Sequence, residues 1–89
     1  MEKHRIFIVE DDPKIASLLA DTLRKYQYDV ETVQDFETLV EQCMAFSPHL
    51  ILLDINLPLY DGYYWCRKLR AYTKCPIIFI SARSGEMDQ

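Results

Sequence analysis

Ile6-Phe7-Ile8-Val9-Glu10-Asp11-Asp12-Pro13 is the stretch that decides the fold. Four apolar residues with no polar break read as a strand buried on both faces, as in a parallel sheet. Acidic residues stop the strand, and Pro13 then opens a helix with Asp12 as its N-cap. Leu50-Ile51-Leu52-Leu53-Asp54 repeats the pattern, a fully apolar strand closed by a carboxylate. Carboxylates at the C-terminal ends of two parallel strands meet in one crevice, where open α/β sheets place their ligands. Like charges repel there, so a cation is expected among Glu10, Asp11 and Asp54. Clustered carboxylate oxygens suit a hard ion such as Mg²⁺.

Outward from these two strands, the chain alternates strand and helix. Ile15, Leu18, Leu19 and Leu23 recur at helical spacing after Pro13. Residues 28–33 read as a second, weaker strand. Asp35 caps a second helix with the stripe Phe36, Leu39, Val40, Cys43 and Met44, and Ser47-Pro48 ends it. Beyond Asp54 comes a loop over residues 55–62, with Pro58 and the turn signal Asp61-Gly62. Residues 63–72 form a third helix, with Tyr63, Cys66 and Leu69 expected inward. Residues 76–80 form a fourth strand, followed directly by Ser81-Ala82-Arg83. The order βαβαβαβ with right-handed crossovers gives an α/β fold, a doubly wound parallel sheet with helices on both faces. Ile77, Ile78, Phe79 and Ile80 fall on an apolar sheet edge, a liability for pairing with another chain. A homodimer through this fourth strand is therefore expected.

Composition narrows the function classes. The chain has 89 residues and a formal charge of -4, with 49% apolar and 27% charged residues. That length bounds it to one domain. An acidic balance argues against direct nucleic-acid binding by this segment, because duplex binding leans on a basic face. No apolar run approaches the roughly 20 residues a membrane span requires, so no membrane association is expected. Met1 to Arg5 leave no room for a signal peptide. Cys43, Cys66 and Cys75 form no C-x-x-C and read as reduced, buried thiols in a cytoplasmic protein.

The strand ends carry the chemistry. Asp54 stands alone at the end of a buried strand and is the expected nucleophile, since a carboxylate can attack phosphorus to form an aspartyl phosphate. Such a transfer needs positioning and a cation more than covalent help. Asp11 is expected to ligate Mg²⁺ directly, Glu10 through water, and Asn56 through its backbone carbonyl. Ser81 can donate its hydroxyl to a phosphoryl oxygen. Asp12 reads as a helix cap rather than a ligand. His4 and His49 have no ligand spacing, and Arg67, Lys68, Arg70 and Lys74 read as a solvated helix face. Tyr60, Tyr63, Tyr64 and Trp65 read as a cover over the core.

Three motifs, in order and at matching spacing, carry a resemblance. Residues 8–13 (IVEDDP), 52–58 (LLDINLP) with Asp61-Gly62, and 76–83 (PIIFISAR) resemble the CheY-like receiver domain of bacterial two-component response regulators. The wording is similar to the OmpR/PhoB class, whose receivers precede a winged-helix DNA-binding domain. Residues 57–67 more faintly resemble regulators that sense antimicrobial peptides at the cell envelope. The resemblance implies a flavodoxin-like fold and phosphotransfer from a sensor histidine kinase to Asp54, with Mg²⁺ required. It implies a phospho-acceptor rather than an enzyme, with at most self-catalysed phosphorylation and dephosphorylation. Residues 1–89 then constitute a partial, C-terminally truncated receiver, β1-α1-β2-α2-β3-α3-β4. The family's remaining α4-β5-α5, roughly 30 residues at average element lengths, would be absent. With them go the family's switch aromatic, its phosphoryl-pairing lysine and its dimerisation surface.

Two other classes compete. A phosphatase or mutase of the haloacid dehalogenase type also uses a strand-end Asp with Mg²⁺. That family repeats an Asp two residues after the nucleophile, where this chain has Asn56, which removes the general acid. A nucleotide-binding α/β protein needs a Gly-rich phosphate loop, and the only glycines are Gly62 and Gly85. A further alternative is a self-associating fragment without phosphotransfer activity.

Overall fold

In β1 (Arg5–Val9), side chains alternate between two cores. Phe7 and Val9 face one hydrophobic cluster, Ile6 and Ile8 the other. A strand buried this way must be covered on both sides, and the computed structural model, which describes residues 3–57 and 60–81, shows how. The elements that follow are α1 (Pro13–Lys25), β2 (Asp29–Thr32), a 3₁₀ turn (Phe36–Thr38) running into α2 (Leu39–Phe46), β3 (Leu50–Asp54), α3 (Gly62–Arg70) and β4 (Ile77–Ile80). All strand pairs are parallel, in the order β2-β1-β3-β4. Helix α1 covers Ile6, Ile8 and Val30 through Ala20, Leu19 and Leu23. Helices α2 and α3 cover Phe7, Val9, Ile51 and Leu53 through Leu39, Cys43, Trp65 and Leu69. The expected doubly wound sheet with helices on both faces is what forms.

Local signals set the helix ends. Asp12 accepts from the Lys14 and Ile15 amides at 2.9 and 3.4 Å, with Pro13 at the first helical position. Asp35 accepts from the Glu37 amide at 3.0 Å, but it opens the 3₁₀ turn rather than α2 itself. Ser47 closes α2 in the left-handed region at φ 53°, just before Pro48. At the opposite end of the sheet, the Arg5 amide donates to His49 Nδ1 at 2.9 Å. His4 and His49 meet edge to face at 5.1 Å, so these exposed histidines brace the strand starts.

Several expectations need correcting. Tyr63 is 50% exposed and lies on the flank against Phe79, with ring centroids 4.8 Å apart. Helix α3 begins at Gly62, so its buried stripe is Gly62, Trp65 and Leu69, with Cys66 only half-buried. On α1, Leu18 is 68% exposed, and the residues the helix buries are Ala16 and Ala20. Of the thiols, Cys43 is buried but Cys66 and Cys75 are half-buried. Pro58 of the loop, and Ala82 and Arg83 of the third motif, lie outside the described residues.

The Asp12 cap is independent of packing and so can be weighed alone. Asp12→Ala is expected to lower stability by about 1 kcal/mol in urea unfolding. An unchanged midpoint would show that the α1 terminus is satisfied in another way.

Candidate functional site

Strand order determines where the acidic residues go. The chain crosses from β1 to β2 on one side and returns to β3 on the other, so the C-terminal ends of β1 and β3 flank the switch point. In the parallel register Val9 lies opposite Leu53. The next residues along, Glu10 and Asp54, therefore end side by side. Together with Asp11 they form a cluster whose facing carboxylate oxygens all lie within 4.8 Å of one another. Asp54 is fully buried, Glu10 is 3% exposed and Asp11 is half-buried.

Backbone amides hold the cluster. The Asp12 amide donates to Glu10 Oε2 at 3.0 Å, and the Asn56 amide to Asp54 Oδ1 at 3.0 Å. The second bond fixes the plane of the Asp54 carboxylate. Asn56 and Ser81 stand exposed at the rim, where Asn56 Nδ2 approaches Ser81 Oγ at 3.5 Å. All five residues picked from the sequence thus fall at this end of the sheet. Three make the acidic cluster and two the rim beside it.

A sixth residue was marked in the sequence only as part of a turn. A Cβ on Gly62 would stand 2.5 Å from the Asp54 carbonyl oxygen and 3.0 Å from Ile55 Cα. The Gly62 amide also donates to the Ile55 carbonyl at 3.0 Å. Helix α3 therefore rests its first turn on the backbone of Asp54, and only glycine permits that approach. The Asp61-Gly62 pair carried the signal, because Asp61 caps α3 through the Tyr64 amide at 2.9 Å.

Burial dominates the electrostatics. It pushes the Glu10 carboxyl up from 4.5 to about 7, the Asp12 amide opposes this, and the carboxylates of Asp54 and Asp11 push it further up. At neutral pH the cluster can keep a proton on Glu10 instead of a third negative charge. A hard divalent cation fits the same oxygens and supplies the missing positive charge. The Cys43 thiol is raised to about 11 by burial and by Cys75, and Cys75 is raised by burial. Neither is therefore an activated nucleophile.

The Glu10 shift sets a pH dependence. Below about 4.5 both folded and unfolded chains hold the Glu10 proton. Between about 4.5 and 7 only the folded chain holds it, so stability falls as pH rises and the loss is complete above about 7. In metal-free buffer this contribution is expected to reach a few kcal/mol. It is read as the difference between the wild-type chain and Glu10→Gln in urea unfolding across that range. Parallel profiles for the two would remove Glu10 as the source.

The comparisons with known proteins agree with this geometry. The family described as the response regulator receiver domain matches residues 6–89. The transcriptional regulatory protein YxdJ of Bacillus subtilis is 52% identical over 86 residues, covering 97% of this chain and 38% of YxdJ. The chain thus spans well under half the length of that curated relative. The N-terminal domain of the nisin resistance regulator NsrR, described as a lantibiotic response regulator, superposes with a TM-score of 0.83 at 46% identity. That match covers 99% of this chain and 74% of NsrR's solved chain. A chain in the crystal structure of histidine kinase ThkA in complex with response regulator TrrA gives 0.76 at 29% identity, covering 89% of this chain and 69% of that one. The four parallel strands and intervening helices are those of the CheY-like fold. This chain belongs to the response regulator receiver domain family.

Proposed function

We propose that Asp54 accepts a phosphoryl group from a sensor histidine kinase, with Mg²⁺ held by Asp11 and Asp54, by Glu10 through water, and by the Asn56 backbone carbonyl. The observation that carries this reading is the burial of Asp54 within 4.8 Å of two further carboxylates at adjacent strand ends. Family membership supports the acceptor role, since receiver domains are phospho-accepting signalling modules rather than turnover enzymes. The ThkA–TrrA complex supports a kinase partner. The Asp54 carboxylate oxygen attacks phosphorus as the bond from phosphorus to the kinase histidine nitrogen breaks. The electron pair stays on that imidazole nitrogen. The Asn56 amide holds Asp54 in plane during the attack, and the Ser81 hydroxyl donates to a phosphoryl oxygen once it arrives. The bound ion would neutralise charge on the phosphoryl oxygens. Relatives such as YxdJ are transcriptional regulators, which supports a cytoplasmic chain controlling a DNA-binding output domain. The enzyme alternative is disfavoured by Asn56, whose amide cannot serve as the general acid that a haloacid dehalogenase-type site requires.

The test is intact mass after incubation with Mg²⁺ and acetyl phosphate. The wild-type chain is expected to gain one phosphoryl group, and Asp54→Asn none. Asp11→Asn is expected to slow the gain by at least tenfold at limiting Mg²⁺. A gain that persists in Asp54→Asn would sink the assignment. No gain in a folded wild-type chain would mean either that a further segment is required or that the pocket does not accept phosphoryl groups, and a longer chain that still shows no gain would refute the assignment.

One observation favours a second property. Among the described residues β4 pairs only with β3, and it leaves Ile78 50% and Phe79 36% exposed. Self-association of the 89-residue chain through β4 removes this apolar edge from water. Light scattering is expected to give the mass of a dimer, and a monomer at several hundred micromolar would refute it.

A further inference from the structure

Away from the acidic crevice, α2 and α3 splay around a second cavity of about 870 Å³. Five of its lining residues are aromatic. Tyr60 and Tyr64 stack at 4.2 Å, and Trp65 stands edge-on to both, at 6.1 and 5.1 Å. Phe36 and Tyr72 line the cavity as well, and Met44 adds a thioether. Tyr60 and Tyr72 are 50% and 61% exposed, a heavy outlay of ring surface on water for a small domain. Volume and lining match a cleft for an organic ligand.

The charges select the ligand. Glu37 and Glu41, four residues apart, line the α2 side and are exposed. Among the described residues the one ion pair joins Arg24 to Asp21, so neither glutamate is ion-paired there. The cavity's cation is Lys68, whose Nζ lies 5.8 Å from the centre of the Tyr64 ring. That contact shows an ammonium group seated on the aromatic wall. An anion would meet two carboxylates and one lysine already engaged with a ring. A cation meets π-faces and two carboxylates, the combination that holds alkylated ammonium groups.

We propose that the α2–α3 cavity is a binding site for a small organic cation, an alkylated ammonium carrying an apolar or aromatic body. The aromatic wall takes the body and shares the ammonium group with Glu37 and Glu41. Lys68 competes for the Tyr64 face. The proposal does not use Asp54 or its neighbours, so it stands or falls independently of phosphotransfer.

Trp65 is the only tryptophan in the chain and lines the cavity, so its fluorescence responds to a ligand bound there. The chain is titrated with benzyltrimethylammonium, and in parallel with benzyl alcohol and benzenesulfonate. The cation is expected to give a saturable change, with both analogues about tenfold weaker or more. Glu37→Gln with Glu41→Gln, at exposed positions that do not support the core, is expected to weaken the cation by a similar factor. Lys68→Gln is expected to tighten it. Equal affinity for benzyl alcohol, or no effect of the glutamate changes, would overturn the cationic assignment. No saturable change with any probe, in a chain whose circular dichroism shows it folded, would overturn the site.

Discussion

The parallel register between β1 and β3 forces like charges together, and the rest of the molecule accommodates that constraint. With Val9 opposite Leu53, Glu10 and Asp54 have no route apart unless the strands slip. A slip of one residue would turn Phe7 and Val9 out of the core they share with α2 and α3. Hydrophobic burial thus holds the carboxylates in place against their repulsion. Two backbone amides, from Asp12 and Asn56, take part of the charge, and Glu10 answers the remainder by holding its proton up to about pH 7. A pocket built this way is strained toward positive charge before any ligand arrives.

Much of this was legible in the sequence because the informative residues are punctuated. β1, β3 and β4 read as unbroken apolar runs, and the polar residues that close each run mark the crevice. Glu10, Asp11, Asp54 and Ser81 could be named on that ground. The 3.6-residue period of the helices was less secure. The stripe on α3 was set one position off, at Tyr63 and Cys66, because aromatic residues fill four of the positions from 60 to 65 and hydrophobicity alone does not choose among them. The rotation is fixed by a contact that no local pattern encodes, the rest of Gly62 on the Asp54 carbonyl. Leu18 misled for the opposite reason. The buried side of α1 carries the small residues Ala16 and Ala20, and the larger leucine is left in water.

The same rotation of α3 links the two ends of the structure that matter for function. Gly62 and Trp65 share the buried side of the helix, three residues apart. The first rests on the backbone of Asp54 and the second backs the aromatic cavity. Leu57, on the loop leaving Asp54, is buried and reaches the same cavity. A glycine that fixes the height of α3 over Asp54 therefore also fixes the wall of the cavity.

The sheet itself is asymmetric in its packing. On the α1 side, β1 and β2 are covered, while Leu52 is half-buried and Ile78, its neighbour in register, is half exposed. On the other side Phe79, 36% exposed, packs against the ring of Tyr63. Asp54 lies at the boundary, since it pairs in register with Ile80, next to Ser81. A change at Asp54 therefore has a well-packed neighbour on the β1 side and a loosely packed one on the β4 side.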